Sequence, residues 1–408
     1  PAEILIPKSL TSRVISFLGG LPAAPVISRV EDWIAQEQFA RELLLRHLRT
    51  HTLKGFGIDD KPLAITAAGM VMHYISETQQ GRLSHFTSVR GFDTGEYMTL
   101  DSATRRNLEI VSSSSDRDSS LVTVLDETQT PMGGRMLRTW LLRPLRRLER
   151  IRDRLKAVRT IVHDETMRRS LRDTLSRIGD MERLIGKVCV QRATPRDLVA
   201  LRHSLAALPA LHELVSPRMT DSLQRLIASI DTVPGVVHDI EYALLDEPAL
   251  QFGTGSIFRP GYDRELDEMR DAMTNSKSWI AAYQERLRQE TGIPSLKVSM
   301  NGVFGYYVEI SNAHKDRVPE AFQRRQTMTN AERYITPELK EREELIMRAE
   351  SGLHTRETQL FADVRQRVAE HAAAIQHAAS CIARLDCLSA FAQVSITGGY
   401  CEPEIDDD

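Results

Sequence analysis

Residues Asn301 to Ile335 read NGVFGYYVEISNAHKDRVPEAFQRRQTMTNAERYI. Aromatic and β-branched residues alternate early in this stretch, which then turns basic, a period-two pattern that suits a small pleated sheet. A long helical pattern lies on either side. Upstream, Tyr262, Leu266, Met269, Met273, Ser276, Ile280, Tyr283 and Leu287 step by 4, 3, 4, 3, 4, 3, 4. Only Ser276 is polar, so this is an apolar seam with a period near 3.5, as in a two-helix coiled coil. About 29 residues of such a helix rise roughly 44 Å, and Gly292 and Pro294 end it. Downstream, Thr336-Pro337-Glu338 restarts a helix with a capping residue and a first-turn proline. Its seam runs Ile346, Ala349, Leu353, Leu360, Val364, Val368, Ile375, Ile382, Leu385, Leu388, and the helix is expected to continue to residue 394. Two long helices with complementary seams pack antiparallel, which puts the β-rich island at their tip.

The rest of the chain divides by pattern. Residues 1–93 read as mixed α/β, with Ile4-Leu5-Ile6 a short strand, a helix over 31–49 and another over 63–77 entered after Lys61-Pro62. Residues 97–100 suit a short strand, Asp101 a helix cap, and the Ser- and Asp-rich 112–120 a loop. From 120 to 250 the periodicity is helical. Leu148, Ile151, Leu155, Val158 and Val162 share one face, and Thr194-Pro195 opens a further helix.

Composition narrows the function. The 408 residues carry a net charge of −3 with 27% charged residues, so there is no whole-chain basic field and any nucleic-acid site must be local. Cys189, Cys381, Cys387 and Cys401 form no C-x-x-C pair and no zinc spacing, which favours reduced thiols. No apolar run approaches the ~20 residues needed to span a membrane. The sequence holds no G-x-x-x-x-G-K-[ST] loop, no G-x-G-x-x-G after a strand, no H-E-x-x-H and no G-x-S-x-G, and the 12 His residues are scattered. Nothing here argues for catalysis within the chain.

Two basic stretches remain. Residues 135–159 hold ten Arg/Lys against two acids, but Leu137, Trp140, Leu141, Leu145 and Leu148 interleave them as in core-packed helices. The island has six Lys/Arg against four acids over 295–337, and its arrangement says more than its count. Phe322-Gln323-Arg324-Arg325-Gln326-Thr327-Met328-Thr329-Asn330 contains two Arg, five amide or hydroxyl side chains and no acid. Such groups position phosphates without reading bases, and Gly302 and Gly305 allow close backbone approach. The candidates are therefore Arg324 and Arg325 as charges, Thr327 and Asn330 as donors, and Asn301 beside Gly302. Lys297 and Arg333 complete the set, with Glu309 and Glu332 as competing partners inside the sheet. On these residues alone, phosphate contact and simple solubilisation of a small sheet both stay open.

Seven blocks then carry a resemblance: LDSATRRNLEI (100–110), VLDETQTPMGGRMLRTWLLRPL (124–145), IGDMERLIGKV (178–188), ATPRDLVALRHSL (193–205), GYDRELDEMR (261–270), SLKVSMNGVFGYYVEIS (295–311) and RRQTMTNAERYITPELKE (324–341). The chain resembles the bacterial MutS family of DNA mismatch-repair proteins from about residue 97 to 341, with a weaker match to the family's connector domain before that. The resemblance implies a mainly α fold. It consists of a helical core bundle with two long antiparallel lever helices carrying a small β-rich clamp, plus a truncated α/β connector remnant. The implied boundaries are 1–96 partial connector, 97–260 core, 261–294 outgoing lever, 295–336 clamp, and 337–408 returning lever and end of core.

By the same resemblance, the clamp closes on the backbone of duplex DNA, with Asn301 and Asn330 facing it, and residues 135–159 fall in the core. The family's mismatch reader carries a Phe-x-Glu element, which this sequence lacks, and its P-loop ATPase would begin just after Asp408. Both ends look cut, so the chain is expected to be a piece that binds no cofactor itself, ATP and Mg²⁺ belonging to the ATPase domain. Thr329 stands where some relatives carry Lys. The implied partners are duplex DNA, a second copy in the full-length protein and a MutL-type repair protein, with no membrane, in a bacterial cytoplasm at the nucleoid. The competing reading from periodicity is a coiled-coil scaffold with a protein-docking tip.

Overall fold

The computed structural model describes residues 3–18, 25–78, 94–113, 119–253, 255–301 and 305–406, with single residues 83, 86, 89 and 91 between. It is mainly helical, with a two-stranded parallel sheet near the N-terminus and a four-stranded antiparallel sheet in the later part. Packing divides the chain into two units. One comprises Pro1–Ala193, Ala200–Val237 and Arg365–Asp408; the other comprises Thr194–Val199 and His238–Val364.

In the first unit, β1 (Glu3–Pro7) pairs in parallel with β2 (Val26–Val30). Beside them the helices Glu37–His47 and Pro62–Thr78 pack closely enough that a Cβ on Gly69 would lie 2.6 Å from Ala40 Cα. The helix expected over 31–49 is broken. Asp32–Ala35 forms a 3-10 turn, and Gln36 is extended (φ −82, ψ 132) before the α-helix begins. The strand expected at 97–100 reduces to one bridge, Tyr97 to Leu145. The loop expected over 112–120 falls largely on residues outside those described.

The rest of this unit is helical and surrounds Ala372–Thr397, against which Pro131–Leu142, Leu148–His163 and Met181–Cys189 pack. That central helix is long and apolar enough to cross a membrane, but two-thirds of its most apolar window is buried inside the protein, as a core helix should be. Its Asp386 is fully buried and accepts hydrogen bonds from the backbone N–H groups of Gln129 (2.9 Å) and Thr130 (2.7 Å) and from Thr130 Oγ1 (2.7 Å). Thr130 Oγ1 in turn accepts from Gly133 N at 2.9 Å and so caps Pro131–Leu142. A carboxylate from the core helix thus satisfies the donors leading into another helix N-terminus, where negative charge is favoured.

The second unit is built on the helix pair foreseen from the seams. The outgoing helix, Arg264–Thr291, starts at Asp263, whose side chain accepts from Leu266 N. It stops at Gly292, whose φ of +65 is the left-handed conformation a C-terminal glycine supplies without strain. Its 28 residues rise about 42 Å. The returning helix, Pro337–Glu370, runs antiparallel: Asp263 and Glu265 meet Arg356, Met269 lies against Gly352, Trp279 faces Arg342, and Tyr283 Oη bonds Thr336 Oγ1 at 2.6 Å.

The seam is buried at its ends (Leu266, Tyr283, Leu287) and half-buried at Met269, Met273 and Ile280, because a single partner helix covers only one side. One end is fixed by Glu357, fully buried, which takes Arg270 at 3.1 Å and Gly253 N at 2.9 Å. At the other end Tyr283, Leu287, Ile293, Leu296 and Leu339 form one apolar cluster with the sheet residues Val308, Ile310 and Tyr334. The returning helix does not continue unbroken to 394. It ends at Glu370, His371 takes φ −95 and ψ 11, and a separate helix starts at Ala372.

Candidate nucleic-acid interface

The four strands are β3 (Lys297–Asn301), β4 (Gly305–Ser311), β5 (Gln323–Thr327) and β6 (Ala331–Ile335), in the order β3-β4-β6-β5. Alternation sends Val298, Val308, Ile310 and Tyr334 to the face packed on the helix ends. Three bonds fasten this sheet and the residues flanking its strands to the outgoing helix and its end: Gln284 Oε1 accepts from Val298 N (2.8 Å), Arg288 donates to Leu296 O just before β3 (2.9 Å), and Arg317, between β4 and β5, donates to Gly292 O (3.3 Å). The sheet is thereby held as an extension of the helix pair.

The register divides the seven residues picked from the sequence between two faces and a turn. Lys297, Glu309, Arg333 and Gln326 form one cross-strand row over all four strands. Within it Arg333 donates to Glu309 (3.1 Å) and Gln326 (3.1 Å) and lies 4.3 Å over the Tyr307 ring, leaving its side chain 16% exposed. The competition foreseen for Arg333 is resolved in favour of Glu309. Lys297, at the exposed end of this row, stands opposite Glu309.

Arg324 and Thr327 lie on the other face, aligned with Tyr334 and Glu332. Arg325 is the residue left over where the register shifts between Arg324 and Gln326. Asn330 sits in the β5–β6 turn, where its carbonyl accepts from Asn312 N at 3.2 Å. Asn301 pairs with Gly305 at the opposite end of β4, six residues from Ser311, about 20 Å along the strand. It is half-buried and already engaged, and Gly302 falls outside the described residues. The set is therefore not one cluster. Its exposed part is the edge strand and turn, where Arg324, Arg325, Thr327, Thr329 and Asn330 are all open to solvent.

One acid near that edge was set aside in reading the sequence as a partner within the sheet. Glu332 on β6 is 2% exposed. It accepts from the Tyr334 hydroxyl, its Oε1 meets Lys315 Nζ at 2.7 Å, and Arg324 Nη1 is 3.6 Å from the same oxygen. Lys315 holds its carboxyl below the usual 4.5, with Tyr334 adding to the effect, while burial and the neighbouring carboxylate push the Tyr334 phenol up to about 12. Lys315 was missed because only the fold brings it to Arg324: it lies in a 3-10 segment, Asn312–Arg317, before β5 begins.

The denser basic run, 135–159, is largely consumed within the first unit. Arg135 grips Asp180 with two bonds (2.7 and 2.8 Å) and also Glu182 (2.7 Å). Arg147 and Arg150 share Glu96, Arg159 grips Glu402 (2.6 and 2.7 Å), and Arg152 donates to Ile405 O (2.8 Å). Arg154 lies 3.6 Å over the Trp140 ring, and burial lowers its pKa to about 10. These guanidinium groups neutralise acids and close helix contacts, which leaves the edge strand as the better candidate for an outside anion.

Comparison with known proteins shows the family. The family model for MutS domain III matches residues 103–392, and that for MutS domain II matches residues 1–87. The chain belongs to the MutS family. It is 43% identical over its whole length to the DNA mismatch repair protein MutS of Salinibacter ruber and covers 45% of that protein. The protein of the same name from Chlorobium chlorochromatii is 40% identical over 99% of the chain, which covers 47% of it. The one from Methanosarcina barkeri is 38% identical over 100% of the chain, which covers 46% of it. The MutS chain described here thus spans just under half the length of these relatives.

Proposed function

We propose that this chain is the part of a mismatch-repair MutS protein that holds duplex DNA by its backbone. The antiparallel helix pair serves as levers and the four-stranded sheet at its end as a clamp. The observation that carries the reading is β5 with its turn: an edge strand of sequence QRRQT followed by Met328-Thr329-Asn330, exposed nearly throughout and free of acids. Guanidinium, amide and hydroxyl donors of this kind meet phosphate oxygens at any base sequence. Neutralising two or three phosphates gives a log–log salt slope of about −2 to −3.

The relatives are named for DNA mismatch repair, and membership of their family favours this reading over a protein-docking scaffold. ATP hydrolysis, mismatch reading, pairing with a second copy and recruitment of a MutL-type partner are assigned to the whole protein, as is work at the nucleoid. Titrating a labelled homoduplex and a labelled mismatched duplex at several salt concentrations tests the proposal. Weak binding, equal for the two and lost with added salt, is expected; no binding at any salt would point to the docking scaffold.

A further inference from the structure

The Glu332 carboxylate has two cations on it that come from different elements, and neither is buried. Lys315 and Arg324 keep 55% and 59% of their side chains exposed, while the Glu332 side chain keeps 3%. Both nitrogens reach the same Oε1, at 2.7 Å and 3.6 Å, so their separation cannot exceed the sum of those distances. One phosphate group can bridge such a gap with two of its oxygens. Oε1 has no well-aligned hydrogen bond and holds the ammonium as a close ion pair, while more than half of each cation's side chain stays open to solvent. Two like charges this close repel unless an anion sits between them, and Glu332 is that anion. Thr327, on the same edge strand as Arg324, stands opposite Glu332 in the register.

We infer that Lys315 and Arg324 form a single phosphate seat on the clamp, with Glu332 as the positioning residue that holds the two cations together from beneath. The inference rests on the proposed backbone-binding function and adds to it a residue, Lys315, and a stoichiometry of two cations to one phosphate.

The count of neutralised phosphates is readable from salt dependence, since each contributes about 0.9 to the slope. Binding of the intact chain to a labelled homoduplex is followed by fluorescence anisotropy between about 50 and 200 mM salt. Lys315→Ala and Arg324→Ala each weaken binding several-fold. Together they reduce the slope by about 0.9, the value for one phosphate, and not by about 1.8. In a Glu332→Gln background the pair comes apart, and the effects of the two alanine changes become additive. A slope loss near 1.8 in the double variant overturns the single seat. Non-additivity that persists in Glu332→Gln overturns the positioning role.

Arg325→Ala serves as the control. If it weakens binding while Lys315→Ala and Arg324→Ala do not, the seat fails and the clamp reading stands. If no variant and no salt concentration affects binding, both fail. Circular dichroism melts of each variant exclude loss of the sheet as the cause.

Discussion

Gly133 is where the packing of the helical core can be tested most sharply. A Cβ there would stand 2.7 Å from Cγ and 2.9 Å from Cβ of Asp386, the buried carboxylate that serves the entry to Pro131–Leu142. Alanine in a helix would ordinarily gain up to about 1 kcal/mol over glycine, and less in the first turn, where Gly133 lies. Here it must either displace the carboxylate or move the helix. Displacement leaves the N–H groups of Gln129 and Thr130 without their acceptor, at about 1–3 kcal/mol each. Overpacking adds about 1–3 kcal/mol.

The expected net cost of Gly133→Ala is about 3–5 kcal/mol, a large share of the roughly 5–15 kcal/mol that holds a domain together. Asp386→Ala strands the same donors and costs about 3 kcal/mol, but it also empties the space the new methyl needs. The double variant should therefore cost little more than Asp386→Ala alone, a coupling of about 3 kcal/mol. Trp140 lies in the same helix as Gly133, 6.2 Å from Phe391. Urea unfolding followed by Trp140 fluorescence, with Trp33 and Trp279 replaced by Phe, reports on this unit. A cost below about 1 kcal/mol for Gly133→Ala, or strict additivity in the double variant, would refute the steric argument.

Further outcomes follow from the second unit. Replacing Arg324 and Arg325 with Ala should lower affinity equally for homoduplex and mismatched DNA, whereas the same change at Arg146 and Arg147, which lie between the packed helices Pro131–Leu142 and Leu148–His163 of the first unit, should do little in the same titration. Glu357→Ala should destabilise the second unit by about 3 kcal/mol in urea, because it takes the nearest acid from Arg270, leaving it Asp267 at 3.6 Å, and removes the acceptor of Gly253 N. Arg356 holds the Asp263 carboxyl below its usual 3.8, so its contribution is complete above that pH and is lost as pH falls through the lower folded value. The stability gap between wild type and Asp263→Asn, measured by urea unfolding, should therefore be open at pH 7 and close in strong acid.

The helix pair was legible because its signal is long and local. A 4, 3 spacing sustained from Tyr262 to Leu287, with Gly292 to stop it and Thr336-Pro337 to restart, leaves few other arrangements. Short elements were less legible for the opposite reason. β2, Val26–Val30, was missed because five residues give too brief a pattern without the β1 partner that selects it. The break at Gln36 has neither proline nor glycine to announce it, and the turn at His371 likewise interrupts a stripe that stays apolar through Val368 and Ile375.

The candidate site was legible as a composition and not as a geometry. QRRQT without an acid marks an exposed edge, but which face each residue joins depends on a register shift between Arg324 and Gln326 that no spacing rule anticipates.

That register also explains why the sheet tolerates its charges. An edge strand of exposed arginines resists pairing with another copy's edge, a common means of keeping small sheets from aggregating, so charge on β5 alone does not require DNA. The rows behind it separate the two explanations. A purely protective edge needs charges pointing outward and nothing beneath them. Here Arg333 is neutralised inside the row of Lys297, Glu309 and Gln326, whereas Arg324 is only loosely held, at 3.6 Å, by a carboxylate that also holds Lys315. A buried acid under two exposed cations is costly to build merely for solubility, because its desolvation is offset only while both partners stay close. An arrangement that keeps two solvent-exposed cations together at the edge of the sheet suits a ligand carrying its charge on several oxygens. That is the chemistry of the proposed phosphate seat, and a protective edge alone does not call for it.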